Sequence, residues 1–229
     1  MAVQESVVSF DPGIDLAVET MISQQLVGRG IDDSRVIAAF RRIPRRMFVP
    51  DYLEHKTYLD DYLPIGLGQT ISPPYVTARM IQEMRLPDNA RVLEVGTGSG
   101  YQTALLSTIA REVHTIEIRP ELAARARRLL LDGMGIGNIE VHVGDGFQGW
   151  SEGAPYDAIV VNAAVAEEAP WPLVGQLRDG ARLVVPVGLR TQRLHVVVRD
   201  GYDEDVTVLD EAAYAGKLLP LEGEAEEEG

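Results

Sequence analysis

The chain has 229 residues, of which 45% are hydrophobic, enough for one sizeable core. Its formal net charge of −14 disfavours a nucleic-acid partner, which needs a clustered basic surface, and the absence of cysteine excludes disulfides and thiolate metal sites. No apolar run reaches the roughly 20 residues of a membrane helix, and the N-terminus lacks a basic-then-apolar signal pattern, so we expect a cytoplasmic protein with no membrane partner.

The first third of the chain predicts helices and loops. The stretch DLAVETMISQQLVGRG has apolar residues near helical spacing and ends in Gly28 and Gly30, a helix stop. A second helix begins at a cap on Asp33 or Ser34 and stops before Pro44. No convincing strand is recognisable here, so residues 1–88 are predicted to form an N-terminal helical cap that includes an active-site loop.

From residue 89 the pattern changes to short β-branched runs that alternate with helical segments. This alternation is typical of βα units in a parallel, doubly wound sheet, and predicts an α/β, Rossmann-like core over residues 89–221. Strands are predicted at 91–95, 112–118, 139–143, 157–162 and 181–187, followed by two late strands that we expect to be antiparallel, seven in all. Residues 222–229 carry five glutamates and predict a disordered acidic tail.

A glycine-rich loop follows the first of these strands in LEVGTGSGYQ. The strand ends near Glu94, and Gly96, Gly98 and Gly100 lead into a helix. Glycine lets a ligand approach the backbone, and the helix N-terminus offers N–H groups to an anion. A tight βα turn without a ligand is the alternative explanation. The four histidines lie far apart in the sequence and show no ligand spacing, so no metal is expected.

Two acidic residues at later strand ends favour a bound nucleoside. Glu117 ends the second strand, where a carboxylate accepts hydrogen bonds from ribose hydroxyls, and Asp145-Gly146 follows the third strand, beside an adenine edge. A solvated strand end and a common Asp-Gly turn are the alternatives. Because Gly100 comes one place early for the dinucleotide fingerprint and Tyr101 follows it, the pattern favours a nucleoside sulfonium over a dinucleotide.

The motifs together resemble a known family, the protein-L-isoaspartate O-methyltransferases. The resemblance runs from about residue 33 to residue 220 and rests on RRIPRRMFVP, YLDDYLPIGLGQTIS, LEVGTGSGYQTALL, GDGFQGW and APYDAIVVNAA. It implies a class I S-adenosylmethionine-dependent methyltransferase fold. It also implies methyl transfer from S-adenosyl-L-methionine to the α-carboxylate of L-isoaspartyl residues in damaged proteins, which starts their repair through a succinimide and releases S-adenosyl-L-homocysteine.

The resemblance also implies a set of site residues. Ser72 and Asp60 match the catalytic positions of the family. The positions expected to bind the cofactor are Ile71, Ser72, Glu94, Gly96, Thr97, Gly98, Ser99, Gly100, Glu117, Ile118, Asp145, Gly146 and Gln192. The positions expected to bind substrate are Ser72, Pro73, Pro74, Tyr75, Val185, Pro186 and Val187, the last three by pairing with the substrate backbone.

Ser72 has two interpretations at this stage. An isoaspartyl carboxylate is already ionised near neutral pH, so methyl transfer needs no strong general base and Ser72 would act as an orienting hydrogen-bond donor. Alternatively, Ser72 caps the helix that starts near Pro74. Both can hold at once.

Two other functions remain open. One is a relative that uses the same methylation to make aspartimides in a dedicated peptide, usually with an extra C-terminal domain, for which little room is left after KLLPLEG. The other is a non-catalytic nucleoside-binding module. Leu67, Pro73 and Asn162 depart from the family pattern and leave the preferred peptide sequence open. Isoaspartyl proteins and peptides are the expected partners, and we expect a monomer.

Overall fold

The protein is built around a seven-stranded sheet. The computed structural model describes residues 15–166, 168–188, 191–201 and 203–208, and the predicted acidic tail lies outside them. The sheet has the order β5-β4-β3-β6-β7-β8-β9. Its strands are β3 (Arg91–Val95), β4 (Glu112–Glu117), β5 (Ile139–Val143), β6 (Tyr156–Val161), β7 (Leu177–Val187), β8 (Arg193–Asp200) and β9 (Asp203–Val208).

The strand directions confirm the predicted mostly parallel, doubly wound sheet. Strands β3 to β7 pair in parallel, and β8 and β9 pair antiparallel at the far edge. The chain winds outward from β3 through β4 to β5, and then returns to place β6 on the other side of β3. This reversal opens a crevice at the carboxyl ends of β3 and β6, where ligands bind in such sheets.

Both faces of the sheet are covered, as side-chain alternation along the strands requires. Val92 of β3 packs in one buried cluster, and its neighbour Leu93 packs in a second cluster on the opposite face. Helices surround the sheet: α1 (Leu16–Met21), α2 (Ser34–Arg42), α3 (Pro74–Glu83), α4 (Tyr101–Ser107), α5 (Pro120–Arg127) and α6 (Trp171–Val174). In the described part of the chain, no helix is both long and apolar enough to cross a membrane.

The predicted helix signals of the N-terminal segment are confirmed. Asp33 caps α2, since its carboxylate accepts a hydrogen bond from the backbone N–H of Arg35. After α1 the chain continues through short π and 3₁₀ turns and stops at Gly30, whose φ of 90° is left-handed. Phe40 and Leu26 join the same buried cluster as Val92, so the N-terminal segment shares a core with the sheet. The division of the chain into an N-terminal cap and a core at residues 88 and 89 therefore remains a proposal.

The expectation of no strand before residue 88 is wrong. Two short strands, β1 (Leu63–Gly66) and β2 (Gln69–Ile71), form an antiparallel hairpin. The alternation of apolar and polar residues that marks a strand is hard to see here, because β1 contains a proline and a glycine and the strands span only four and three residues. The turn between them is left-handed at Gly66, Leu67 and Gly68, and glycine adopts two of these three positions without strain.

Gly146 marks a close approach of the loop after β5 to the carboxyl end of β3. A Cβ atom added to Gly146 would lie 2.3 Å from Cγ1 of Val95, a side chain that is itself buried. We expect Gly146→Ala to lower the free energy of unfolding by about 1–3 kcal/mol, because overpacking forces this backbone away from the sheet. Urea denaturation measures the change.

Gly137→Ala provides the matched control. A Cβ atom added at Gly137 meets nothing within 4 Å, and no positive φ is found there. We expect this second variant to stay within about 0.5 kcal/mol of the parent. Equal denaturation midpoints for the two variants would show that the loop can move away from Val95 without cost.

Candidate active site

The glycine loop lies at the carboxyl end of β3, where the crevice opens. Gly96, Gly98 and Gly100 have φ values of 90°, 55° and 86°, a left-handed backbone that other residues adopt only under strain. A Cβ atom on Gly100 would lie 3.1 Å from Leu130, so this glycine also allows α4 to pack closely. Thr97 is buried within the loop, whereas Ser99 is partly exposed. The loop thus forms a cradle at the end of β3, and its contact with a cofactor stays a prediction.

Glu94 lies beneath this cradle and is completely buried. Its carboxyl group accepts hydrogen bonds from the hydroxyls of Thr103 and Thr115 and, at 3.0 Å, from Nδ2 of Asn162. Nδ2 of Asn162 also donates to the carbonyl of Gly96. Burial raises the pKa of Glu94 to about 7, although all three donors act in the opposite direction. This arrangement favours support of the loop over direct contact with a ligand.

Glu117 ties the loop to the end of β4. Its Oε2 accepts from the backbone N–H of Gly98 at 2.8 Å, and its Oε1 accepts from the backbone N–H of Arg119 at 3.0 Å. Each carboxylate oxygen has two lone pairs, so each can accept one further hydrogen bond. The next residue, Ile118, is exposed although it is apolar. The end of β4 therefore combines hydrogen-bond acceptors with a small apolar surface.

Asp145 is positioned at the end of β5 by a local turn. Its Oδ1 accepts from the backbone N–H of Phe147 at 2.9 Å, which caps the short 3₁₀ turn of Gly146–Gln148. The Asp145 side chain is exposed, and Val143 beside it is exposed as well. The turn that the Asp-Gly dipeptide suggested is thus present, and the position of Asp145 beside a ligand stays a prediction.

The hairpin of β1 and β2 brings the loop that carries Ser72 to this cradle. The backbone carbonyl of Ile65 accepts a hydrogen bond of 2.7 Å from Nη2 of Arg125 on α5. The Ile65 side chain lies next to Gly98, since its Cδ1 would be 3.6 Å from a Cβ atom there. Ile71 is buried at the end of β2, and Ser72 follows it. Ser72 is therefore held at the same edge of the sheet as the glycine loop.

The interpretation of Ser72 as a helix cap is wrong. Helix α3 begins at Pro74, so its N-cap residue is Pro73 and not Ser72. The Pro73 side chain makes no capping hydrogen bond. Proline at both positions leaves few backbone N–H groups for a hydroxyl to cap. The half-buried Ser72 hydroxyl is thus not committed to α3, and the orienting role stays a prediction.

Asp60 takes the place at α3 that the sequence suggested for Ser72. Its Oδ1 accepts from the backbone N–H of Tyr75 at 3.1 Å, in the first turn of α3. Its Oδ2 forms an ion pair with Nη1 of Arg29. The Arg29 guanidinium also stacks over the Tyr75 ring, 3.4 Å from its centroid. Both carboxylate oxygens of Asp60 therefore bind the protein itself, which favours a positioning role.

Arg45 is a residue that sequence reasoning missed. Its side chain is 1% exposed, its Nε donates to the carbonyl of Thr57 at 2.8 Å, and its Nη2 donates to the carbonyl of Ser72 at 2.7 Å. Its guanidinium lies 5.0 Å from the ring centroid of Tyr101. Burial lowers the pKa of Arg45. Nothing in RRIPRRMFVP distinguishes this arginine from its three neighbours, so only the fold reveals its contact with the loop.

The predicted pairing of β7 with a substrate backbone is wrong. Val185, Pro186 and Val187 already pair with residues 193–195 of β8 on one edge. On the other edge the carbonyl of Pro186 accepts from the N–H of Val165 at 3.0 Å. Val185 and Val187 are also buried, so no edge remains for a peptide. Gln192, expected at the cofactor, is buried just before β8, and its predicted contact stays a prediction.

The model of the family described as "Protein-L-isoaspartate(D-aspartate) O-methyltransferase (PCMT)" matches residues 17–216. The chain belongs to this family. It is accordingly an S-adenosylmethionine-dependent protein carboxyl O-methyltransferase, and its mostly parallel seven-stranded sheet is the class I methyltransferase fold.

Individual relatives agree with the family match. A protein-L-isoaspartate O-methyltransferase of Picosynechococcus sp. is 47% identical over 93% of this chain and 93% of its own length. One from Methanoculleus marisnigri is 50% identical over 82% of this chain and 86% of its own. A solved protein-L-isoaspartate O-methyltransferase structure has a TM-score of 0.78 at 27% identity; the match covers 89% of this chain but 65% of that one. A Plasmodium falciparum structure that contains S-adenosyl-L-homocysteine shares the fold at a TM-score of 0.72.

The raised pKa of Glu94 predicts a pH dependence of stability. Its folded pKa of about 7 lies above the ordinary 4.5, so the folded state binds the proton more tightly than the unfolded state does. The contribution of Glu94 to the free energy of unfolding is complete below about pH 4.5 and is lost as pH rises to about 7. The change amounts to roughly 3 kcal/mol. Glu94→Gln removes this titration. We expect its free energy of unfolding to fall less between pH 4.5 and 7 than that of the parent, as denaturant titrations at several pH values measure.

The comparison between the two proteins cancels the other groups that titrate in this range, such as His142 and His195, whose pKa values burial lowers. Parallel pH profiles for the parent and Glu94→Gln would mean that Glu94 is ionised in the folded protein across the range.

Proposed function

We propose that this chain methylates the α-carboxylate of L-isoaspartyl residues in damaged proteins at the crevice beside the glycine loop. The observation that carries the proposal is the position of Ser72, which the hairpin and Arg45 hold next to the cofactor cradle. A binding module without catalysis would have no need for a second loop fixed in this way. The methyl ester that forms starts repair through a succinimide.

The residues at the strand ends fit S-adenosyl-L-methionine. The glycine loop turns at three left-handed positions without side chains, and Glu117 retains acceptor capacity for two ribose hydroxyls. Ile118 and Val143 offer exposed apolar surface for a purine face, and Asp145 offers a carboxylate for an exocyclic amino group. When bound, S-adenosyl-L-methionine supplies a methyl group activated by its sulfonium charge.

The chain contributes positioning more than proton transfer. The substrate carboxylate is ionised near neutral pH, so no residue needs to remove a proton from it. Ser72 donates a hydrogen bond that orients this carboxylate, and part of the roughly 7–11 kcal/mol available from proximity follows from that alignment. Pro73 and Pro74 follow Ser72 directly and limit the backbone conformations that the loop can adopt.

Asp60 and Arg45 act on the reaction through the loop. Asp60 fixes the first turn of α3 through Tyr75, while Arg45 holds the carbonyl of Ser72. Arg45 is buried and two of its hydrogen-bond partners are neutral carbonyls, so its positive charge also favours a carboxylate nearby. We therefore assign Ser72 the catalytic contact and the other two residues positioning roles.

We also propose that the chain works as a cytoplasmic monomer on isoaspartyl proteins and peptides. Its net charge of −14 disfavours contact with nucleic acids and with anionic membrane surfaces. Light scattering of the purified chain checks the monomeric state.

Glu117→Ala tests the cofactor site. We expect the affinity for S-adenosyl-L-homocysteine to fall at least about tenfold, since two charge-assisted hydrogen bonds are lost. Titration calorimetry measures it. Glu121→Ala is the control, because Glu121 is an exposed carboxylate on the first turn of α5. Unchanged affinity in Glu117→Ala would remove Glu117 from the site, and a fall in both variants would indicate a general charge effect.

Ser72→Ala tests the orienting donor. We expect turnover on an isoaspartyl peptide to fall at least about tenfold, since one preorganised donor is worth about 2–3 kcal/mol. Affinity for S-adenosyl-L-homocysteine and the melting temperature should remain near those of the parent, because the hydroxyl does not cap α3. Steady-state kinetics measure turnover, titration calorimetry measures the affinity, and thermal denaturation measures the melting temperature.

Ser107→Ala serves as the control, since its hydroxyl bonds only to the preceding turn at the end of α4. Parent-like turnover in Ser72→Ala would contradict the catalytic assignment.

A further inference from the structure

Three potential metal ligands converge on the face of the sheet opposite α4. His114 lies on β4, and Glu140 and His142 lie on the edge strand β5, where Glu140 is directly opposite His114. Nδ1 of His114 is 3.2 Å from Nε2 of His142. Oε2 of Glu140 is 3.7 Å from the first of these nitrogens and 3.9 Å from the second. Among the described residues, this is the one group of three such ligand atoms within 4.8 Å of one another.

The three distances also leave room for a metal ion. Without an ion, the two histidine nitrogens hydrogen-bond to each other at 3.2 Å. Glu140 takes no part in this bond, because its carboxylate oxygen is too far from both nitrogens for a hydrogen bond. A point equidistant from the three atoms lies roughly 2.1 Å from each, within the range of zinc–nitrogen and zinc–oxygen bonds. The three atoms thus surround a space of the correct size for an ion.

Glu112 orients the first histidine for this role. Its Oε1 lies 3.1 Å from Nε2 of His114, so the imidazole proton is favoured on that nitrogen and the lone pair on Nδ1 faces Glu140 and His142. A carboxylate that accepts the second N–H of a metal-binding histidine is a recurrent feature of zinc sites. Arg91 and Arg111 fix Glu112 in turn, through ion pairs of 2.8 and 3.4 Å.

Aromatic packing holds both imidazole rings in place. His142 stacks on Trp150, with ring centroids 3.9 Å apart, and His114 lies edge-on to Tyr156 at 5.7 Å. The histidine side chains are 6% and 12% exposed, whereas that of Glu140 is 62% exposed. Two ligands are therefore preorganised, and the third lies where an ion would enter. Burial, His114 and Arg127 oppose a positive charge at His142, whereas the charges of Glu140 and Glu152 favour one.

We propose that His114, Glu140 and His142 bind a divalent transition-metal ion such as Zn²⁺, with water completing the coordination. Two imidazoles and one carboxylate are a ligand set suited to zinc and cobalt. The ion links the edge strand β5 to β4. It also steadies Trp150, which ends the segment that begins at Asp145 after β5. The site therefore stabilises the strand edge next to the methyl-transfer site.

The sequence pattern predicts no metal site, because the histidines are far apart along the chain. His114 and His142 are 28 positions apart, and only parallel pairing of adjacent strands places them together. This pairing depends on the register of β4 and β5, which the sequence pattern did not specify.

Binding of Zn²⁺ to the full chain, freed of metal with a chelator, tests the proposal. Calorimetry should show one equivalent bound by the parent. Affinity should fall at least tenfold in His142→Gln and in Glu140→Gln, and the latter variant should fold normally because its side chain is exposed. Glu112→Gln should weaken binding about 10- to 100-fold. Zn²⁺ should raise the melting temperature of the parent and not that of Glu140→Gln.

His55→Gln is the control, since His55 lies in a separate exposed turn. The Zn²⁺ affinity of His55→Gln should match that of the parent. Co²⁺ bound at a low coordination number absorbs visible light, and we expect this absorption only in proteins that keep all three proposed ligands. No binding by the parent would overturn the proposal. Equal affinity in the parent, Glu140→Gln and His142→Gln would overturn it too, because the ion would then bind elsewhere on this acidic chain.

Discussion

The buried carboxyl group of Glu94 is the constraint on which the site depends. A carboxyl at this depth is tolerated only if donors surround it, and the donors come from α4, β4 and the segment after β6. These hydrogen bonds fix three neighbouring segments to the end of β3. Because Asn162 also holds the carbonyl of Gly96, the shape of the cradle follows from how Glu94 is satisfied. Glu117 then completes it from the next strand through Gly98.

A second set of contacts positions the loop of Ser72, the proposed substrate side, beside this cradle. Arg45 binds the carbonyl of Ser72, and Asp60 binds the first turn of α3 just after it. The loop between them is short and contains two prolines, so these anchors leave Ser72 little freedom. In a reaction that needs no strong base, such alignment is the main contribution that the protein can make.

The sequence predicted what depends on local pattern. The bounds of β3 and β5 were predicted without error, because β-branched runs end at clear glycine signals. The hairpin of β1 and β2 was missed since proline and glycine masked it. Roles that depend on distant contacts were also beyond the pattern: Asp60, not Ser72, bonds the first turn of α3, and both edges of β7 are occupied. His114 and His142 became neighbours only through the strand register.

The proposed methylation of isoaspartyl carboxylates beside Ser72 can be measured with two peptides of the same sequence, one isoaspartyl and one aspartyl. The measured quantity is the transfer of labelled methyl from S-adenosyl-L-methionine to each peptide. We expect rapid labelling of the isoaspartyl peptide and little of the aspartyl peptide. Equal labelling of both, or labelling of neither by a chain that still binds S-adenosyl-L-homocysteine, would contradict it.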